Sequence, residues 1–205
     1  MAAIMTGIVI GVSIAAPVGP IGILCVRRTL QDGRMAGFAS GMGAATADAC
    51  YGFVAALGLT AISRFLTDGA VWLNILGAAF LLYLGIRIAR TSLQNGSDAA
   101  KRAKESYWKA YGSTFLLTLT NPMTIVSFAG IIAGIQLGSE TAAPLWFIAG
   151  VFVGSAAWWL CLCLAVGATR SMLSSGALKI IQYGSALILA GYGIYNLLQV
   201  AVQWA

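Results

Sequence analysis

The sequence contains no histidine, only six acidic residues, and 9% charged residues over its 205 positions. Soluble domains carry about 25% charged residues, so a fold solvated only by water is excluded. The lack of histidine excludes a metal or proton site built on imidazole. Proline is scarce, with four in the chain, so the position of each is informative. Cysteine is limited to Cys25, Cys50, Cys161 and Cys163, all within or at the edge of apolar runs. Cys161 and Cys163 are two residues apart, about 200° around a helix, which is not the spacing of a C-x-x-C redox pair. Free cysteine packs as a small hydrophobe, and buried, inert thiols are expected.

Hydrophobic residues make up 60% of the chain, and its mean hydropathy is +0.88. The apolar runs are too long for strands and show no period of two, so helices rather than a barrel are expected in a bilayer. The runs fall at roughly 3–25, 36–62, 71–90, 111–136, 143–167 and 178–202. They predict an all-α integral membrane protein of six transmembrane helices, forming one domain over 1–205. The first run has no basic segment before it, so it reads as a retained span rather than a cleaved leader.

The net charge of +6 reflects topology, not nucleic-acid binding. Arg27, Arg28, Arg34, Arg87, Arg90, Lys101, Arg102, Lys104, Lys109, Arg170 and Lys179 flank the first, third and fifth connections, and only Arg64 lies on the other side. Cytoplasmic loops collect Lys and Arg, so both termini are expected outside. The connector 91–109 would be cytoplasmic, and its part 99–109 could form a short basic helix, with Lys101 and Glu105 at i,i+4 spacing. Trp72, Trp108, Trp146 and Trp204 fall near span ends, where interfacial tryptophan is enriched. Trp158 and Trp159 fall mid-span and are expected to pack on lipid or a neighbouring helix.

Asp48 is the only acidic residue in the run from Met35 to Ile62 and sits near its centre. Placing a carboxylate there costs roughly 2.5–3.5 kcal/mol on the insertion scale. Chains that keep such a residue use it for an ion, a proton or a cationic substrate group; the alternative role is a hydrogen-bonded tie between two helices. Gly41, Ala45 and Asp48 share one helix face. Gly37, Gly41, Ala45 and Ala49, with Gly150 and Gly154, and Gly130 and Gly134, are spaced for close helix approach.

Helix breaks are expected in the first and fourth spans, at Pro17, Gly19 and Pro20 and at Asn121 and Pro122. The prolines would free the carbonyls of Ser13, Ala16 and Thr118, and such breaks survive in lipid where they line a cavity or are covered by protein. The segments after them begin helices whose positive ends attract anions. Weak internal matches accompany the breaks: residues 38–41 with 147–150, Gly77-Ala78 with Ser185-Ala186, Gly85-Ile86 with Gly193-Ile194, and Pro17 with Pro122. They suggest two inverted three-helix repeats, about 1–95 and 110–205, a transporter signature.

The run Pro17, Val18, Gly19, Pro20, the loop from Arg27 to Gly33, the Gly37 and Gly41 pair, Asp48, and Asn121 with Pro122 together resemble the LysE/RhtB-type amino-acid exporters over essentially the whole chain. The resemblance implies a transporter rather than an enzyme, in the bacterial inner membrane, exporting amino acids under a proton or membrane-potential gradient. The residues themselves suit a zwitterion. Asp48 and freed carbonyls would accept from its ammonium, and the helix starts after Pro20 and Pro122 would donate to its carboxylate. Thr118, Thr120, Asn121 and Thr124 could add hydrogen bonds, and Tyr192, Tyr195 and Asn196 could shape a side-chain pocket or sit at the membrane interface. The expected partners are an amino acid, a proton or other coupling ion, and lipid, with room for a homo-oligomer and with no cofactor and no nucleic acid. The other readings are a cation or metal exporter, which one carboxylate and no histidine disfavour, a membrane thiol–disulfide carrier pairing Cys25 with Cys161, and a non-transporting membrane subunit.

Overall fold

The computed structural model describes residues 2–17, 19–56, 70–90, 99–134 and 144–203. The helices are α1 (Ala2–Ala15), α2 (Pro20–Gln31), α3 (Arg34–Ala56), α4 (Ala70–Arg90), α5 (Ala99–Leu119), α6 (Pro122–Gly134), α7 (Pro144–Thr169) and α8 (Ser175–Gln203), with a 3-10 turn at Arg170–Met172 before α8. No strand occurs among the described residues. Arg64, Trp204 and the ends of the second and fourth apolar runs lie outside them.

Among the described residues, three helices are long and apolar enough to cross a membrane alone, within Val71–Arg90, Pro144–Met172 and Gly176–Val202, and α1 with α2 qualifies as a pair bent by 81°. The sequence predicts six such spans, and the ends of the second and fourth lie outside the described residues. The described parts, α3 and α5, carry polar side chains that face protein. Ser40 and Asp48 on α3, and Thr114 and Thr118 on α5, are buried. The expected short basic helix in the connector is instead the start of α5, continuous from Ala99 to Leu119.

Apolar side chains cover much of the outside. Met5, Val9, Leu76, Leu116, Leu160, Leu187 and Leu198 are exposed, as expected where the surrounding solvent is hydrocarbon. Trp72, Trp108 and Trp146 are exposed as well. Cys25 and Cys163 are buried, but Cys50 and Cys161 are exposed, so the expectation of four buried thiols holds for only two. Those two cysteines sit on outward faces of α3 and α7, where a small apolar side chain is as well suited to lipid as to a core.

Small residues set the helix packing. On α1, a Cβ at Gly7 would run into the Phe147 carbonyl, and one at Gly11 into the Val151 carbonyl. Reciprocally, Cβ atoms at Gly150 and Gly154 of α7 would meet the carbonyls of Ile4 and Ile8. On the other flank, a Cβ at Gly85 of α4 would lie 2.9 Å from the Ala186 carbonyl of α8, and one at Gly193 would lie 2.9 Å from that of Ala78. Gly130, predicted to be a close-approach site, has nothing within 4 Å of an added Cβ among the described residues.

At the end carrying Arg27, Arg28 and Arg34, the Arg28 guanidinium reaches two other helices. Arg28 Nη1 donates to Ser40 Oγ (2.7 Å), Thr114 Oγ1 (2.9 Å) and the Ala110 carbonyl (3.0 Å), while Nη2 donates to Ser113 Oγ (2.7 Å). These bonds fasten α2 to α3 and α5. The α2–α3 turn closes through Gly33, whose φ of 102° lies in the left-handed region that glycine tolerates.

Gly154→Ala should therefore destabilise the protein by about 1–3 kcal/mol, the usual cost of overpacking, whereas Gly130→Ala should be neutral or slightly stabilising through helix propensity. Thermal unfolding of the two variants in the same detergent checks the contrast.

Candidate functional site: a polar cavity at two helix breaks

Both predicted breaks are present. The first separates α1 from α2. Gly19 takes the N-cap position with an extended backbone, Pro20 is the first helical residue, and the Gly19 carbonyl accepts the first helical bond from Ile23 N–H (3.1 Å). Proline suits this position because its missing N–H would have no helical partner anyway. The N–H groups of Ile21 and Gly22 come before that first bond and have no intrahelical acceptor.

The second break separates α5 from α6. The Asn121 carbonyl accepts from Ile125 N–H (3.1 Å), and its side-chain Oδ1 accepts from Met123 N–H (3.1 Å). Asn121 thus caps α6, and Pro122 takes the first helical position. By role, the counterpart of Pro122 is Pro20, not Pro17 as the sequence match suggests. The Thr118 carbonyl, expected to be free, accepts from Asn121 N–H (3.2 Å). The neighbouring Leu119 carbonyl accepts from Tyr51 Oη (2.6 Å), and Tyr51 stacks on Phe128 at a centroid distance of 5.2 Å. The α5–α6 break is therefore braced by α3.

A cavity of about 540 Å³ lies where the breaks meet α3, α4, α7 and α8. Pro17, Gly19 and Pro20 border it from the first break, Thr118, Thr120, Asn121 and Thr124 from the second, Asp48 from α3, and Tyr192, Tyr195 and Asn196 from α8. Its inner wall is made of the buried Ile21, Ala44, Leu117 and Trp159. Towards α6 and α8 it is bordered by the exposed Met123, Val126, Tyr192 and Tyr195. Asp48 is the only charged side chain among the described residues around it.

Asp48 is buried, and its Oδ2 accepts a hydrogen bond from Ser155 Oγ at 2.7 Å. The carboxylate ties α3 to α7, one of the two roles considered for it, and it also borders the cavity. Sequence reasoning missed Ser155, Asn74, Ser127 and Gln199. Asn74 could have been found as Asp48 was, as a lone polar group in an apolar run. Ser155 carries no such mark, because its value comes from facing Asp48. Trp159 is buried against α3 rather than lipid: a Cβ at Gly41 would meet its Cβ and Cγ.

An apolar helical protein with a polar cavity at two interrupted helices, holding one buried carboxylate, has the make-up of a membrane translocator for a small solute. The chain belongs to the LysE type translocator family, whose model matches residues 12–200. It is 29% identical over 194 residues to the "Putative amino acid efflux protein YcgF" of Bacillus subtilis, covering 92% of this chain and 91% of that protein. It is 28% identical over 183 residues to the "Uncharacterized membrane protein YrhP" of the same organism, covering 84% and 87% of the two chains. Over 136 residues it is 28% identical to the "Uncharacterized membrane protein YahN" of Escherichia coli, covering 65% of this chain and 60% of that one. No solved structure matches the chain.

Ser155→Ala removes the donor to Asp48 and should lower stability by about 1 kcal/mol. In a double-mutant cycle with Asp48→Ala, thermal unfolding should return a coupling of similar size, whereas additive losses would mean the bond contributes nothing.

Proposed function

We propose that the protein is a secondary transporter that exports amino acids or closely related small zwitterions from the cytoplasm across the bacterial inner membrane. The observation that carries this reading is the pairing, around one cavity, of a single buried carboxylate with two helix starts. Asp48 is suited to an ammonium, and the starts of α2 and α6 to a carboxylate. The family match and the relative described as an amino acid efflux protein support it. Site roles follow from position: Asp48 for the ammonium or a coupled proton, Gly19, Pro20, Asn121 and Pro122 for the broken backbone, Thr118 and Thr124 for added hydrogen bonds, and Tyr192 and Asn196 for the substrate side chain.

Alternating access through inverted halves follows from the same reading. The contacts of Gly85 with Ala186 and of Gly193 with Ala78 are exchanged when the repeat matches are swapped, since Gly85 matches Gly193 and Ala78 matches Ala186. Likewise α1 packs on α7 and α5 on α3, while α4 pairs with α8. Such an exchange supports six membrane segments in two inverted halves, with both termini outside by charge distribution. The driving force is the proton gradient or the membrane potential, and assembly into a homo-oligomer is compatible with the exposed apolar faces.

A hard cation would need several oxygen ligands, and one carboxylate supplies few. A thiol carrier is disfavoured because Cys25 is buried while Cys161 lies on an exposed face.

Proteoliposomes loaded with a panel of labelled amino acids, with and without a pH gradient, test the proposal. Wild-type protein should move at least one of them, and Asp48→Asn should abolish net transport without loss of expression or thermal stability. Normal transport by Asp48→Asn would reduce the residue to a tie between helices and remove the centre of the proposal.

A further inference from the structure

Asn74 and Trp159 border the cavity, and their side-chain atoms Asn74 Oδ1 and Trp159 Nε1 are buried with no hydrogen-bond partner among the described residues. Trp159 is the more telling, because the whole residue is only 3% exposed. An indole N–H can only donate, and buried donors in folded proteins are almost always satisfied. Were Trp159 there only to fill space, phenylalanine or leucine would do so without burying an N–H.

The position of the ring is built rather than incidental. Gly41 of α3 is where a Cβ would collide with the Trp159 stem, so the absence of a side chain there makes room for the indole. Gly41 shares a helix face with Asp48. On α7, Trp159 follows Ser155 by four residues, about 6 Å along the axis. The Asp48–Ser155 bond and the Gly41–Trp159 contact therefore fix one α3–α7 seam that carries both the carboxylate and the indole. Ile21, at the start of α2, borders the cavity beside it and belongs to the same buried cluster as Trp159.

A zwitterion needs a partner for each charge. Asp48 can serve the ammonium, but no Lys or Arg occurs among the described residues around the cavity, so a substrate carboxylate must be met by neutral donors. We infer that Trp159 Nε1–H is a ligand for the substrate carboxylate, acting with the first N–H groups of α2 and setting selectivity for amino acids over amines. This inference rests on the amino-acid exporter reading and adds to it a residue that reads the carboxylate.

The test compares binding of an amino acid with that of its decarboxylated amine to purified full-length protein. The pair would be leucine and 3-methylbutylamine, or the corresponding pair for whichever panel amino acid wild-type protein binds best. Trp159→Phe keeps an aromatic ring and removes the N–H. It should weaken amino-acid binding roughly 10- to 100-fold, the range for a lost hydrogen bond to a charged group, and leave amine binding within about twofold. Equal weakening of both ligands, or of neither, would overturn the role of Trp159 while leaving the exporter reading in place. If Trp159→Phe fails to fold, 3-benzothienylalanine at position 159 keeps the ring volume without the N–H and gives the same comparison. Wild-type protein that binds the amine as tightly as the amino acid would overturn the exporter reading, and this inference with it.

Discussion

A carboxylate in hydrocarbon must be housed by the protein around it, and Asp48 imposes that requirement on three helices. Ser155 of α7 supplies a donor at 2.7 Å. For that donor to reach, α7 must lie close to α3, and Gly41 permits the approach by leaving space for Trp159. In turn α7 is clasped on its other side by α1 through Gly7, Gly11, Gly150 and Gly154. The small-residue seams are thus the means by which a polar centre is held in a membrane where the hydrophobic effect does not drive helices together.

The two broken helices meet a similar requirement for the backbone. Each break leaves carbonyls and N–H groups that lipid cannot satisfy. At the second break Asn121, Met123 and Tyr51 account for the groups around Thr118 and Leu119. At the first break Gly19 offers no side chain to cap α2, and Ile21, whose N–H precedes the first helical bond, borders the cavity. At the basic end, the Arg28 network joins α2 to α3 and α5 through oxygens of neutral groups alone.

Much of this was legible in the sequence because lipid makes polar residues conspicuous. Asp48 stands out in its run, and the prolines mark both breaks to within a residue or two. The small-residue spacing of Gly150 and Gly154 identified a real contact, but the same spacing at Gly130 did not, since spacing cannot tell which face meets a neighbour. The apolar runs of α3 and α5 carry polar residues, Ser40 and Asp48, Thr114 and Thr118, whose contacts inside the protein could not be read from the runs themselves. Ser155, Trp159 and the bracing by Tyr51 were not legible, because their importance lies in partners more than 60 residues away in the chain.

The central claim is that the cavity holding Asp48 is the path of the transported amino acid. It is tested most directly by placing a single cysteine at Thr124, a buried wall residue of α6, in a background with the four native cysteines replaced by serine. Modification by a membrane-impermeant thiol reagent is then followed in proteoliposomes. The account predicts that a transported amino acid slows modification in proportion to its occupancy, while a non-transported one has no effect. A modification rate indifferent to every transported amino acid would contradict it.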